Sequence, residues 1–337
     1  MYQEFYNLRE TETKKLLKWI GSEAYLSRLN NFYKPSEYWQ DLKRRTFVGI
    51  NTENVLLYSG HNFTYSVTSN KKKYQLLTPL AKIKLFRKLV NKIYLMLFNL
   101  KTYLDNYEKF DSKNIFRKYY TEEIPEWASK IMNYNAPKVY DTLENRHHLL
   151  QHFKKTISPI IFELGAGAGL TSLALLNELP NAKIIICDLP ETISVAYVLI
   201  SYFSKRNLKI LLPSDLDKCN GNLSEAIKEN DLLFITPNQI EMVPDNSIDL
   251  AINVHSMQEM DLSTITNYFH LLQRVGSKGS IFFCKNLKCS KQYDTTQIEK
   301  YPWHMFGKLI YEEVAPYASQ RYPEGGNIII KIVEIKS

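Results

Sequence analysis

From about residue 145 onward the sequence predicts an α/β fold: a mostly parallel sheet with helices on both faces and an antiparallel pair at one edge. Three observations predict it. Short apolar runs alternate with helix-patterned runs, a glycine-rich turn joins the first of those runs to the first helix, and the last two strand-like segments look like an antiparallel pair.

The elements follow in order. Pro159-Ile-Ile-Phe-Glu-Leu164 is a short apolar strand, and beyond its glycine turn a helix runs over Leu170–Glu178. A second strand spans Ala182–Cys187 and a second helix Glu191–Phe203. Asp231–Ile235 reads as a third strand and Ser247–Val254 as a fourth. Ser263 offers an N-cap to a helix reaching about Arg274, Ser280–Cys284 is a fifth strand, and Lys308–Val314 with Asn327–Ile335 forms the edge pair.

Residues 1–144 read as a different, mainly helical region, punctuated by Pro35, Pro79, Pro125 and Pro137. Its strongest helix pattern is Leu80–Tyr107, basic in its first half and able either to pack on a domain or to touch a membrane surface. The stretch Asn51–Ser69 is turn-rich with short β-like runs. Charge divides the same way. Residues 1–150 hold 25 Lys and Arg against 15 Asp and Glu, whereas the rest hold 18 against 20. That imbalance points to an anionic partner for the first half, or to lysines that simply solvate helices. The four cysteines form no CxxC pair or zinc-like cluster, so a reducing, cytoplasmic setting is expected. No apolar run approaches the roughly 18 to 20 residues that span a bilayer, and no signal peptide is recognisable. Oligomeric state is not legible.

The central motif is Glu163-Leu164-Gly165-Ala166-Gly167-Ala168-Gly169, after a strand and before a helix. A dinucleotide fingerprint would place its third glycine at position 170, which is Leu. The spacing instead resembles the E/D-x-G-x-G-x-G turn of class I S-adenosylmethionine (SAM)-dependent methyltransferases, which implies a Rossmann-like sheet and SAM as cofactor. That resemblance carries Glu163, Gly165, Ala166, Gly167 and Gly169 over as residues around the amino-acid end of the cofactor. Asp188, at the end of the second strand, can accept hydrogen bonds from ribose hydroxyls. Leu189 follows as an apolar wall for adenine, and Asn238 or Gln239, after the third strand, can meet the adenine amino group.

Two further segments narrow the resemblance. Asp188-Leu-Pro-Glu191, and Asn253-Val-His-Ser-Met-Gln-Glu-Met260 with Asn286, are similar to segments of the sugar O-methyltransferases found in bacterial surface-polysaccharide gene clusters. The likeness covers roughly residues 120–290, and Ala166 and Ala168 depart from the glycines common there. It implies Asn253 at the cofactor site and a sugar, nucleotide-sugar or glycan hydroxyl as acceptor.

Methylating a hydroxyl requires removal of its proton, and the loop after the fourth strand offers His255, Gln258, Glu259 and Asp261 for that work. His255 has the better intrinsic pKa. Glu259 belongs to the Q-E-M segment and ranks first on that ground, with Gln258 beside it. His304 is a weaker third base. His148 and His152 lie four apart on a helix pattern but lack a carboxylate-rich partner motif, and no metal is expected there or at Glu259 and Asp261. Nucleic acid is a disfavoured acceptor, since the fourth strand ends Asn-Val-His-Ser and not Asn/Asp-Pro-Pro-Tyr. A methyltransferase acting on another small molecule and a catalytically silent SAM-binding subunit are the remaining alternatives.

Overall fold

The structure, a computed structural model, describes residues 47–50, 56–59, 112–153, 157–218, 222–288, 296–320 and 327–336. The Leu80–Tyr107 helix pattern lies outside them. The chain divides into two compact units, one taking in Phe116–Ser337 and the other Glu37–Ile115. In the second, β1 (Phe47–Ile50) pairs antiparallel with β2 (Leu56–Ser59), Val48 opposite Tyr58.

After these strands the described chain runs through α1 (Ser112–Tyr119) and α2 (Glu126–His152). There follow β3 (Ile160–Leu164), α3 (Leu170–Glu178), β4 (Lys183–Cys187), α4 (Pro190–Phe203) and the two-residue β5 (Ile210–Leu211). After α5 (Ser224–Glu229) come β6 (Leu232–Ile235), β7 (Ile248–Val254), α6 (Leu262–Val275) and β8 (Gly276–Leu287). β9 (Leu309–Val314), α7 (Pro316–Gln320) and β10 (Ile328–Glu334) complete it. The eight strands lie in the order β5-β6-β4-β3-β7-β8-β10-β9. All neighbours from β5 to β8 are parallel, while β10 runs antiparallel to both β8 and β9. The expected α/β sheet with its antiparallel edge is thus the observed one.

Helices on both faces explain the sequence of the central strands. β6 is buried throughout and β3 and β4 at all but their first residue, so both faces take apolar side chains and no alternation appears. The chain builds outward from β3 through β4 and β6, then returns to place β7 on the other side of β3. That reversal is a topological switch point, and it opens at the carboxyl ends of β3 and β7, where Leu164 and Asn253 lie in register.

Three expectations change, and one strand was not expected. The boundary drawn at 145 falls inside α2, which packs against α3 and belongs to the same unit as the sheet. Pro137 does not interrupt that helix, and its carbonyl accepts a hydrogen bond from Tyr317 Oη (3.2 Å). The α6 N-cap is Asp261, whose Oδ1 accepts from Thr264 N and Ser263 Oγ (both 2.7 Å), so the cap sits two residues before Ser263. β5 is too short to show an apolar period. Among the described residues no helix is long and apolar enough to cross a membrane.

Candidate active site

The glycine turn is built by left-handed backbone. Gly165, Gly167 and Gly169 have φ of 68°, 58° and 69°, a region that L side chains enter at a cost. Each glycine serves a different neighbour. A Cβ on Gly165 would stand 2.0 Å from Ser256 Oγ, in the loop after β7, and one on Gly169 would meet Ile200 Cδ1 of α4 at 2.8 Å. A Cβ on Gly167 meets nothing within 4 Å, so the middle of the turn faces open space. Its amide nonetheless donates to Asp188 Oδ2 (2.7 Å), and Leu189 N donates to Asp188 Oδ1 (2.6 Å). Asp188 therefore sits beside the turn, at the end of β4.

The other residues expected around the cofactor divide. Glu163 is buried beneath the turn, accepting from Ser172 N (3.1 Å) and Ser172 Oγ in the first turn of α3. Burial pushes its pKa up to about 7, although the Ser172 donors oppose the shift. Ala166 closes the turn, its carbonyl accepting from Gly169 N. Leu189 is buried at the start of α4. Gln239 is spent in a capping box: its Oε1 accepts from Thr236 N (3.0 Å) and its Nε2 donates to Pro213 O (3.0 Å). Asn238 differs, because its Oδ1 is buried with no hydrogen-bond partner among the described residues. An orphaned acceptor of that kind fits an amino group such as that of adenine. The open space at Gly167, the Asp188 carboxylate and the Asn238 acceptor together fit SAM.

The Asn-x-x-Ser-x-Gln segment does something that its sequence did not disclose. Asn253 is fully buried at the end of β7; its Nδ2 donates to Leu164 O (2.9 Å) and to Ser256 Oγ. Its Oδ1 accepts from Met257 N (3.2 Å) and from Asn286 Nδ2 (2.9 Å). Asn286 Oδ1 accepts from Gln258 N, and Gln258 Oε1 accepts from Leu287 N (2.8 Å). These amides tie the ends of β3, β7 and β8 into one knot. Asn253 and Gln258 have their polar atoms engaged in backbone and neighbouring amides, which makes them holders of the loop.

The knot leaves His255 in a distinctive place. Its φ of 61° is left-handed, which costs a non-glycine residue about 1–2 kcal/mol, and its amide donates to Lys285 O (2.8 Å). Nε2 lies 3.3 Å from Asp141 Oδ2, while Nδ1 has no hydrogen-bond partner among the described residues. Burial holds the imidazole pKa below the ordinary histidine range, and the Asp141 carboxylate opposes that shift without cancelling it. Glu259 closes a 3-10 turn, its amide donating to Ser256 O, and it faces Tyr301, whose pKa is pushed up by burial first and then by Cys284 and Glu259. Asp261 is the helix cap, and His304 is exposed in another 3-10 turn.

Three residues missed by sequence reading, Asp141, Glu144 and Asn145, lie on α2 beside His148, and a fourth, Lys285, lies on β8. Asp141, Glu144, Asn145 and His148 follow helical spacing, and all four are buried. Lys285 of β8, completely buried, donates its three ammonium protons to Asp141 Oδ1 (2.6 Å), Glu144 Oε2 (2.7 Å) and Asn145 Oδ1 (2.8 Å). Glu144 also accepts from Tyr120 Oη (2.9 Å), Tyr317 N (2.7 Å) and Ala318 N (3.2 Å). His148, its pKa pushed down to about 3 by burial and nearby cations, meets Tyr120 Oη and Glu313 Oε1 (both 3.1 Å). The spacing of these polar residues was visible, but a polar helical stripe ordinarily faces solvent.

This fold, with an acidic residue after β4 and a glycine turn at the switch point, defines a class I methyltransferase that uses SAM. Residues 126–296, half of the chain, match the model of a family described as lysine methyltransferase, and the chain belongs to that family. No curated protein matches it. Among solved structures it is similar to a geranyl diphosphate methyltransferase in complex with SAM, at 10% identity and TM-score 0.43, covering 67% of this chain and 96% of that one. It is also similar to geranyl diphosphate C-methyltransferase from Streptomyces coelicolor A3(2), at 10% identity and TM-score 0.42 over 63% and 86% of the two chains. A third is phosphoethanolamine N-methyltransferase 2 from Haemonchus contortus, at 11% identity and TM-score 0.39 over 64% and 61%.

Proposed function

We propose that the protein transfers the methyl group of SAM to a hydroxyl, with His255 as proton acceptor and a sugar as the acceptor molecule. The observation that carries the reading is the His255–Asp141 pair beside the switch point. A neutral imidazole that donates through Nε2 to a carboxylate keeps Nδ1 as its proton acceptor, the arrangement general-base catalysis needs. On this reading His255 ranks ahead of Glu259.

SAM supplies an activated methyl group when bound. Asp188 and the Gly167 turn would hold its ribose and amino-acid portions, Asn238 would accept from its adenine amino group, and Leu189 would wall the ring. His255 Nδ1 takes the acceptor's proton as the hydroxyl oxygen attacks, and Asp141 steadies the resulting imidazolium. The sugar identity rests on the Asn253–Met260 and Asp188–Glu191 segments, which resemble those of sugar O-methyltransferases.

The family match favours a second reading, in which the acceptor is a lysine amine. The same imidazole would remove an ammonium proton. Methyl-labelled SAM offered with the full chain to monosaccharides, nucleotide-sugars and surface glycan, and separately to lysine-bearing proteins, decides between them. Mass spectrometry should find the label on a sugar oxygen. Label on a lysine nitrogen alone would replace the proposal with the second reading.

A further inference from the structure

We propose that Lys285 and Glu144 are positioning residues for methyl transfer, acting through Asp141 to set the charge that His255 meets when it takes a proton. The inference rests on the reading of His255 as the proton acceptor and extends it to two residues that touch neither substrate nor cofactor.

The argument begins with a count of charge. Lys285 has all three ammonium protons in hydrogen bonds and no exposure. Burial opposes its charge, but Asp141 and Glu144 outweigh that cost and hold its pKa above the ordinary lysine value. Glu144 receives four hydrogen bonds, all from donors, as an ionised carboxylate does. Two neighbouring buried groups add no charge: His148 stays neutral at neutral pH, and the Tyr120 hydroxyl stays protonated, its pKa pushed up first by burial and then by Glu144; the charged neighbours Lys138 and Glu313 lie at the cluster's edge, less buried than its members. One ammonium against two carboxylates leaves the buried cluster with a single net negative charge. Imidazolium at His255 brings it to neutrality.

Such a cluster favours the protonated base at the moment of transfer without letting it be protonated at rest, because desolvation still keeps the resting imidazole neutral. The charged groups facing His255 are Asp141 and Lys138 of α2 and Lys285 of β8. Glu144 acts one step further away, by offsetting Lys285. The geometry serves the same end. Lys285 grips Asp141 by Oδ1, leaving Oδ2 turned to His255, and Lys285 O receives the His255 amide. One residue of β8 thus fixes both the imidazole's partner and its backbone.

Opposite charge changes should move His255 in opposite directions, a result that loosened packing does not give. With carbon-labelled histidine in the full chain without cofactor, the His255 resonance, assigned with His255→Asn, reports its titration. Glu144→Gln removes a negative charge, so that titration should move to lower pH. Lys285→Met removes a positive charge and should move it to higher pH. If Lys285→Met does not fold, because it strands two buried carboxylates, the double variant with Glu144→Gln restores the count and should titrate close to wild type. The acid limb of kcat should move with the resonance, while KM for SAM stays near its wild-type value.

Shifts of the same sign in both single variants, or no shift in either, would overturn the proposal. If the wild-type acid limb tracks His255 and neither variant moves it, the coupling is wrong and the proton acceptor stands. If the resonance moves as expected but the wild-type acid limb does not track it, the proton acceptor is wrong and the electrostatic coupling stands.

Discussion

The cofactor side and the acceptor side of the switch point are built in different ways. On the proposed cofactor side the glycine turn, Asp188, Leu189 and Asn238 all come from residues 165–238, each within a few residues of a strand's end. On the proposed acceptor side the imidazole stands after β7, but the carboxylate it meets comes from α2, more than a hundred residues earlier, and is gripped by a lysine on β8. Short connections at strand ends make one side; long-range packing of buried charge makes the other. The first is repeated in sequence spacing and the second is not.

If that contrast is right, the largest effects fall where the two sides meet. Gly165→Ala adds a carbon 2.0 Å from Ser256 Oγ at a left-handed φ. It should cost about 3 kcal/mol or more and abolish binding of S-adenosylhomocysteine, as read by urea unfolding and calorimetry. Gly167→Ala, by contrast, meets open space and should cost the fold only about 1–2 kcal/mol for its backbone, while weakening the same ligand roughly tenfold or more. Equal stability losses in the two would show that the turn does not press on the β7 loop.

Asn253→Ala comes next. It removes the side chain that joins Leu164, Ser256, Met257 and Asn286 and leaves buried partners unpaired, so about 2–4 kcal/mol of stability should go. Cofactor binding and turnover should fall together, since the knot serves both sides; loss of one alone would mean that Asn253 contacts a ligand directly. Asp188→Ala should leave turnover at saturating SAM largely intact and weaken cofactor binding by about 1.5–3 kcal/mol, the scale of hydrogen bonds to a charged group. Unchanged affinity would remove Asp188 from the site. The smallest effect is that of Asn238→Ala, about 1 kcal/mol in cofactor affinity with stability nearly unchanged.

The sheet was legible because its strands are short apolar runs between helices, and the glycine turn because left-handed backbone demands glycine. Helix α2 was not, since Pro137 reads as a stop and a buried polar stripe reads as a wet face. The Asn253–Met260 segment stands out in the sequence, yet the hydrogen bonds that its amides make do not. An amide that ties three strand ends and an amide that binds a ligand look alike in sequence, and only the hydrogen-bond partners tell them apart. His255 was visible as a candidate base, whereas Asp141, the residue that singles it out, lay in a region read as cover.

The central claim is that His255 receives the acceptor's proton, and turnover of His255→Asn and Glu259→Gln beside wild type, each followed across pH, tests it most directly. His255→Asn should lower kcat by about 10²–10⁴, the range for losing a positioned base, with affinity for S-adenosylhomocysteine unchanged. Because burial lowers the imidazole pKa, the acid limb of wild-type kcat, where His255 becomes protonated, should lie below the ordinary histidine range. Glu259→Gln should keep both the rate and that acid limb. A His255→Asn enzyme that turns over nearly as wild type, beside a Glu259→Gln enzyme that does not, would contradict the account and make Glu259 the base.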